Sequence, residues 1–420
     1  MTYKQSREYI ESLAPRGIVP GLESVTLLLA ALGTPQDSLR CIHIAGTNGK
    51  GSVGALLESI LLADGKSVCR FSSPAVGEHL EMFTYNGIPV NPQLYTDAVT
   101  DIRTAISVLE ADGVFPTSFE AETAAAFLMF SRLAPDYALI ECGMGGKLDA
   151  TNVISAPAAA VITSVSYDHS AFLGSTTTEI AYNKAGIIKP DTPVISAPQQ
   201  KDVADVIKKT ATECNAQLSF AEVPESIQYQ KDKTIFKYKG IEYTIKLLGA
   251  YQTQNAALAV DTAITLGISL DAVQTGLSRA WLPFRFERIG RFILDGAHNE
   301  GAARMMAISL KIYTRPEATA FICGCFRDKD YKKIAELTAP YANAVYCVKP
   351  HTDRGLISSE LCRIFAESGA KAYDCGSVTA AIKAANSRGY DNIVVFGSLS
   401  ILKEAKSTIK SLEVRHGQSK

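Results

Sequence analysis

Short apolar runs alternate with amphipathic stretches along most of the chain, and the spacing of apolar positions separates strand from helix. The run beginning at Cys41 breaks into a glycine-rich loop, G46-T-N-G-K-G-S52. Val53, Leu56, Leu57, Ile60 and Leu61 then recur at helical spacing until Gly65 closes the segment. V68-C-R-F71, A138-L-I-E-C142, A159-A-V-I-T163 and V194-I-S-A197 read as further strands with helical patterns between them. Such alternation predicts a parallel sheet covered by helices. T234-I-F-K-Y-K-G-I-E-Y-T-I-K246 departs from it, alternating about Lys239-Gly240 as a β-hairpin and predicting a small antiparallel addition.

After W281-L-P-F-R-F-E-R288 the alternation restarts at F292-I-L-D295 and continues through A320-F-I-C323, V345-Y-C-V348, K371-A-Y-D374 and I393-V-V-F396. These strands predict a second, smaller Rossmann-like α/β domain. The expected division is a first domain over 1–284, a linker over 285–290 and a second domain over 291–420. At 420 residues the chain is long enough for two or three domains. Lys plus Arg number 42 against 43 Asp plus Glu, a formal charge of −1, so no global field favours nucleic acid or an anionic membrane. M-T-Y-K-Q-S-R-E-Y-I lacks the apolar core of a signal peptide, and the longest apolar stretch, around Ala156 to Ile162, is too short to span a bilayer. The expectation is a cytoplasmic protein. Nine cysteines lack paired C-x-x-C spacing, and several sit inside apolar strand-like runs as small hydrophobes, a usage that fits a reducing compartment. Cys323 and Cys325 fit strand residues at the edge of a turn better than a redox pair.

The loop after Cys41 has the chemistry of a phosphate cradle. Gly46, Gly49 and Gly51 allow backbone N–H groups to converge on phosphate oxygens, Lys50 adds a point charge, and a helix N-terminus follows. The spacing is a variant of the usual P-loop: only Thr47 and Asn48 stand between two glycines, and Gly51 separates Lys50 from Ser52. Glu141 ends a strand and precedes C-G-M-G-G-K-L-D-A-T-N152; a carboxylate there suits Mg²⁺, or it pairs with a surface lysine. His169 follows the next strand in S-V-S-Y-D-H, as a ligand or a hydrogen-bonded structural residue. Lys184, among Ala181, Ala185 and Ile188, reads as a snorkelling residue or as an amine in a low-polarity setting that suits chemical alteration. Asn255 opens a helix, Arg285 lies in the interdomain segment, and Asp295 and His298 follow the first strand of the smaller domain. Arg285 could equally be an ion-pair residue, and Asp295 a helix cap.

In order and spacing, H-I-A-G-T-N-G-K-G-S, S-S-P, E-C-G-M-G-G-K-L-D-A-T-N, I-T-S-V-S-Y-D-H, I-A-Y-N-K-A-G-I-I-K-P, L-D-G-A-H-N, G-C-F-R-D-K-D and V-F-G-S-L resemble the folylpolyglutamate synthase and dihydrofolate synthase family of ATP-dependent Mur-type ligases. The resemblance covers nearly the whole chain. It implies a P-loop-type, mostly parallel sheet ATPase domain with a small antiparallel addition, plus the smaller α/β ligase domain. It implies ATP held by Gly46, Thr47, Asn48, Gly49, Lys50, Gly51 and Ser52, with Asn255, Arg285, Asp295 and His298 as nucleotide contacts. It further implies Mg²⁺, two ions, at Ser73, Glu141, His169 and Lys184, the lysine being carried as a carbamate, and catalytic roles for Lys50, Glu141, His169 and Lys184. Asp149 matches a position associated with pterin binding.

The implied substrates are L-glutamate and a folate or dihydropteroate carboxylate, and the implied state is a monomer. Two other functions fit the same motifs: a ligase of this superfamily for a different carboxylate acceptor, and a catalytically silent nucleotide- or folate-binding protein. The family's S-P-H-L-V-S-F-R-E-R-I stands here as S73-P-A-V-G-E-H-L-E-M-F83, with Ala75 for a histidine and Leu80 and Met82 for arginines. Phe284 replaces a glycine, Tyr251 a histidine, and Asn183 a glutamate.

Overall fold

A computed structural model describes residues 1–75, 77–168 and 170–417. The chain forms two compact units, one of Met1–Pro224 with Gln254–Ala280, the other of Glu225–Thr253 with Trp281–Lys420.

The first unit is built on an eight-stranded sheet. Its strands are β1 (Cys41–Ala45), β2 (Val68–Phe71), β3 (Phe83–Tyr85), β4 (Ile88–Pro89), β5 (Tyr137–Glu141), β6 (Ala159–Ile162), β7 (Val194–Ser196) and β8 (Leu218–Phe220), in the order β4-β3-β2-β5-β1-β6-β7-β8. Six of them, β2 to β8 through β5, β1, β6 and β7, run parallel. β3 and β4 add an antiparallel edge. Every residue of β1, β5, β6 and β7 is buried, which is why these strands read as continuous apolar runs rather than alternating ones. The chain leaves β1 towards β2 on one side and later crosses from β5 to β6 on the other. The strand order therefore reverses at β1, and the carboxyl ends of β1, β5 and β6 border the crevice where open α/β sheets collect ligands.

Helices cover both faces. One face holds Tyr95, Phe127 and Phe130 from the helices Pro92–Ala111 and Ser118–Leu133. The other packs Ile180, Ala181, Val203 and Ile207 from the helices Thr177–Ala185 and Lys201–Glu213. The helix after the phosphate loop, Lys50–Ala63, is fixed from two directions. Its buried Glu58 accepts from Arg70 Nε at 2.8 Å, Thr84 Oγ1 at 2.7 Å and Gly87 N at 3.2 Å, tying it to β2 and the sheet edge. On its far side the helix Leu270–Arg279 approaches so closely that a Cβ on Gly276 would overlap the backbone of Ile60. Ser59 Oγ donates to Gly276 O at 2.7 Å across that seam.

The second unit carries two sheets. β9 (Glu225–Tyr229), β10 (Thr234–Tyr238) and β11 (Ile241–Ile245) form an antiparallel sheet in the order β11-β10-β9. The expected hairpin is there, and its turn residues Lys239 and Gly240 both have positive φ, 49° and 80°, the geometry of a turn that matches strand twist. β12 (Glu287–Ile289), β13 (Phe292–Leu294), β14 (Thr319–Cys323), β15 (Ala344–Val348), β16 (Lys371–Gly376) and β17 (Asn392–Phe396) form the other sheet, ordered β12-β13-β17-β14-β15-β16 and parallel except at β12. By its contacts the three-stranded sheet groups with this unit, whereas the sequence places it before the boundary at 284.

Cys323 and Cys325 are buried free thiols with sulfurs 3.8 Å apart, and Cys323 is the last residue of β14. No helix among the described residues is long and apolar enough to cross a membrane. The seam at Gly276 carries a direct expectation. Gly276→Ala should lower the urea midpoint of the first unit by the equivalent of about 1–3 kcal/mol, the usual cost of overpacking; an unchanged midpoint would contradict the close approach.

Candidate active site

β1 delivers its last residue, Ala45, into the loop that precedes the helix Lys50–Ala63. Gly46 turns the chain at φ 149°, and a Cβ there would overlap Thr163 Oγ1. Gly49, at φ 96°, is the residue before the helix, and a Cβ on it would lie 2.6 Å from Asn255 Oδ1. Both glycines are therefore required by conformation and by space. The loop is clamped to the segment after β6. Thr47 N and Asn48 N donate to Ser164 O at 2.8 and 3.4 Å, Thr47 Oγ1 donates to Ser166 O at 2.9 Å, and Ser164 Oγ donates to Asn48 O at 3.1 Å. The N-cap residue is Gly49, which has no side chain to cap the helix, and the helix's positive end follows directly on the loop, as an anion site requires.

Two amines converge on one oxygen inside this turn. Lys50 Nζ donates to Gly46 O at 3.2 Å and Lys184 Nζ donates to the same atom at 2.8 Å. Lys184 is 3 % exposed. Burial, and then the charge of Lys50, lower its pKa from 10.5 to about 7, against the opposing pull of Cys142, Asp168 and Asp149. Lys184 thus does not snorkel; it is a buried amine poised between its two protonation states.

The loop after β5 grips the end of the helix that carries Lys184. Lys147 N donates to Asn183 O at 2.7 Å, and a Cβ on Gly146 would lie 2.8 Å from both Asn183 O and Lys184 O. A Cβ on Gly186 would overlap Lys147. Asn152 Nδ2 closes the clasp by donating to Lys147 O at 3.0 Å and Gly186 O at 3.1 Å. Gly146 and Gly186 let two backbones touch, whereas Gly143 and Gly145 of the G-M-G-G-K motif lie against the side chains of Phe119 and Leu173. Asn183, the residue at the family's glutamate position, donates from Nδ2 to Leu173 O at 2.9 Å.

Glu141 ends β5, 8 % exposed and in register with Ile44 of β1. Asp149 is buried and serves its own loop: Oδ2 accepts from Met144 N at 2.8 Å, and Oδ1 accepts from Thr151 N at 3.0 Å and Thr151 Oγ1 at 2.5 Å. Burial pushes its pKa up, against those hydrogen bonds. Ser73 follows the end of β2. His169 lies outside the described residues; its neighbour Asp168 is half-buried. Among the described residues, no group of three or more His, Cys, Asp or Glu side chains is placed to hold a metal ion. The first unit thus gathers the loop Gly46–Ser52, Ser73, Glu141, Asp149 and Lys184 at the carboxyl ends of its parallel strands, with Asn255 beside Gly49.

Arg285, Asp295 and His298 belong to the second unit. Asp295, directly after β13, accepts from Tyr251 Oη at 2.8 Å and Phe286 N at 2.9 Å on Oδ2, and from Ala297 N at 2.8 Å on Oδ1. Burial raises its pKa, opposed first by the Tyr251 bond. Asn299, not Asp295, caps the following helix Glu300–Tyr313, accepting from Ala302 N at 2.8 Å. His298 donates from Nδ1 to Gly296 O at 2.8 Å, and the Arg285 guanidinium lies over Gly296, where any Cβ would meet it. Phe284 has φ 60°, which gives the physical reason that glycine suits this position. Sequence reasoning passed over Ser164 and Ser166, the residues that clamp the phosphate loop, because small polar residues after a strand look like any turn.

Residues 44–263 match the family model described as Mur ligase middle domain, and residues 284–399 match the Mur ligase, glutamate ligase domain. The chain is 32% identical over 380 residues to the dihydrofolate synthase/folylpolyglutamate synthase of Bacillus subtilis, a match covering 86% of this chain and 88% of that protein. It is 29% identical over 395 residues to the Escherichia coli protein of the same name, covering 93% and 91%. Among solved structures, Mycobacterium tuberculosis folylpolyglutamate synthase complexed with ADP and AMPPCP superposes with a TM-score of 0.90 at 27% identity, covering 96% of this chain and 98% of that one. E. coli FolC in complex with DHPP and ADP gives 0.88 at 27% identity, covering 98% and 99%. With the phosphate loop, the buried lysine and both ligase domains in place, the chain belongs to the folylpolyglutamate synthase/dihydrofolate synthase family of Mur ligases.

Proposed function

We propose that this protein adds L-glutamate to a folate-type carboxylate, either dihydropteroate or the glutamate tail of a reduced folate, at the expense of ATP. The observation that carries the reading is the Gly46–Ser52 loop with Lys50 and Lys184 drawn to the Gly46 carbonyl. Relatives of the same family bear both activities in their names, and ADP and DHPP occur together in a structural neighbour. A carboxylate is a poor electrophile, so an oxygen of it attacks the γ-phosphorus of ATP and ADP departs. The glutamate amine then attacks the acyl carbon, phosphate leaves, and the amine gives up a proton as the amide forms. The loop amides, the helix N-terminus and Lys50 offset charge on the transferring phosphoryl group.

The residues present fit a divalent ion. Glu141 is a buried carboxylate at a strand end, and Lys184 is a buried amine with a pKa near 7, a large part of it neutral and nucleophilic towards CO₂ at neutral pH. Ser73, Glu141, His169 and Lys184 as a carbamate would hold Mg²⁺, which polarises phosphoryl oxygens when bound. We assign Asn255, Arg285, Asp295 and His298 to the nucleotide, and Asp149 to the acceptor side, where it shapes the L-D-A-T-N loop.

One observation favours a second reading, a ligase for another carboxylate acceptor. In the altered segment, Leu80 and Met82 pack with the core instead of presenting the family's arginines, and His79 donates from Nε2 to Glu122 Oε1 at 2.7 Å. Mass spectrometry of products formed from ATP, Mg²⁺, glutamate and each of dihydropteroate, tetrahydrofolate and unrelated carboxylates separates the two. A mass gain of glutamate on a folate precursor is expected; gain only on another carboxylate would establish the second reading.

Three further outcomes are expected. Glu141→Gln and Lys184→Ala should each lower kcat by at least about 100-fold, the scale of losing one preorganised group; unchanged turnover in both would refute the site. Gly46→Ala should abolish measurable ATP binding in titration calorimetry while leaving the circular dichroism spectrum intact. In CO₂-free buffer the lowered pKa of Lys184 means that the unfolded chain binds the extra proton between about pH 7 and 10.5. Stability relative to Lys184→Gln should therefore rise with pH across that window and be flat below it; a parallel pair of curves would show that Lys184 is not desolvated.

A further inference from the structure

His43 sits in the middle of β1, three residues before the phosphate loop, and is fully buried. Its side chain reaches the loop after β5. Nε2 lies 2.9 Å from Thr151 Oγ1 and 3.1 Å from Cys142 Sγ. Nδ1 is buried and has no hydrogen-bond partner among the described residues. Burial, with Lys189 nearby, lowers the His43 pKa to about 3, so the ring is neutral and carries one N–H. Which nitrogen holds that hydrogen follows from the neighbours.

Thr151 has a single hydroxyl proton. It lies 2.5 Å from Asp149 Oδ1, and that carboxylate also receives the backbone N–H groups of Met144 and Thr151. With a backbone N–H aimed at each of its oxygens the Asp149 carboxyl is placed as an acceptor, so the Thr151 proton points to Asp149 and the Thr151 oxygen is left free to accept. His43 Nε2–H is the donor that supplies it. The opposite tautomer would bury an Nδ1–H with nothing among the described residues to receive it, even with the Cys142 thiol turned to donate to Nε2, and would cost about 1–3 kcal/mol for that unsatisfied donor.

We propose that His43 is a positioning residue for the ligation reaction: its Nε2–H fixes the Thr151 hydroxyl so that Thr151 and Asp149 hold the L-D-A-T-N loop, joining the strand of the phosphate loop to the acceptor side of the site. The chain of donors runs one way, from His43 to Thr151 to Asp149. The same loop is held independently on the end of the Lys184 helix by Lys147 and Asn152, so loss of the His43 donor loosens the Asp149–Thr151 stretch, the one assigned to the acceptor. This inference rests on the assignment of Asp149 to the acceptor side.

The ring tautomer of the wild-type protein is the first test and requires no substrate. Long-range ¹H–¹⁵N correlation of histidine-labelled protein, with the His43 signals identified by their absence in His43→Gln, should show Nε2–H throughout pH 5–8. An Nδ1–H ring, or a protonated one at pH 6, overturns the inference whatever the enzyme's substrate is. Kinetics is the second test. His43→Leu should raise KM for the acceptor about tenfold, the equivalent of one lost hydrogen bond of about 1.4 kcal/mol, and change KM for ATP less than twofold. His43→Gln, which keeps an N–H donor, should recover part of the loss. In a Thr151→Val background His43→Leu should add less than twofold, because the chain is already broken. Equal rises in both KM values, or additive effects of the two substitutions, would reduce His43 to a core residue. Failure of the wild-type protein to ligate glutamate to any folate would instead sink the proposed function, and the tautomer would still decide the hydrogen-bond chain.

Discussion

The Gly46 carbonyl is the point on which the first unit's chemistry turns. It is the first acceptor beyond β1, it cannot carry a side chain, and it receives an amine from each of two helices that are far apart in sequence. Bringing two ammonium groups to one oxygen is unfavourable unless one of them gives up its proton readily. Burial of Lys184 meets that condition, and the unbranched lysine stem lets the amine cross from its helix to the strand. The phosphate loop, the Lys184 helix and the loop after β5 consequently form one hydrogen-bonded assembly rather than three separate motifs.

Much of this was legible in the sequence, and the reason differs from element to element. β1 and the loop were readable because the strand is buried on both faces and glycines mark the turn. Glu141 was readable because a lone carboxylate ending an apolar run is conspicuous. The state of Lys184 stays open in the sequence between a snorkelling residue and a low-polarity amine, since the close approach of the Gly146 loop to the end of its helix is a tertiary contact that no local pattern encodes. β3, β4, β8, β9 and β12 were missed for a simpler reason. All but β9 are three residues or fewer, all lie at or next to sheet edges, and most expose enough surface to lose the apolar signature. His43 was visible only as one more letter of a strand.

In the second unit the sequence located Asp295 but not its work. Its partners are Tyr251, 44 residues away, and Phe286, nine residues away, so the carboxylate's burial and its three hydrogen bonds are a tertiary outcome. Tyr251 stands where relatives of the motif have histidine, and here its hydroxyl occupies one oxygen of Asp295. The cap function that D-G-A-H-N suggests falls to its last residue, Asn299.

Phe284 and Phe286 both hold positive φ, 60° and 53°, and both rings are buried. Left-handed backbone costs an L-residue about 1–2 kcal/mol, and aromatic packing offsets it: Phe286 meets Tyr313 at 5.3 Å, and Lys406 sits 5.0 Å from the Phe284 ring. Glycine at either site would relax the backbone and leave a hole; any other side chain would keep the strain without refilling the space. A change at Phe284 or Phe286 is therefore coupled to its surroundings: relief of backbone strain empties space that only a larger neighbouring side chain could refill.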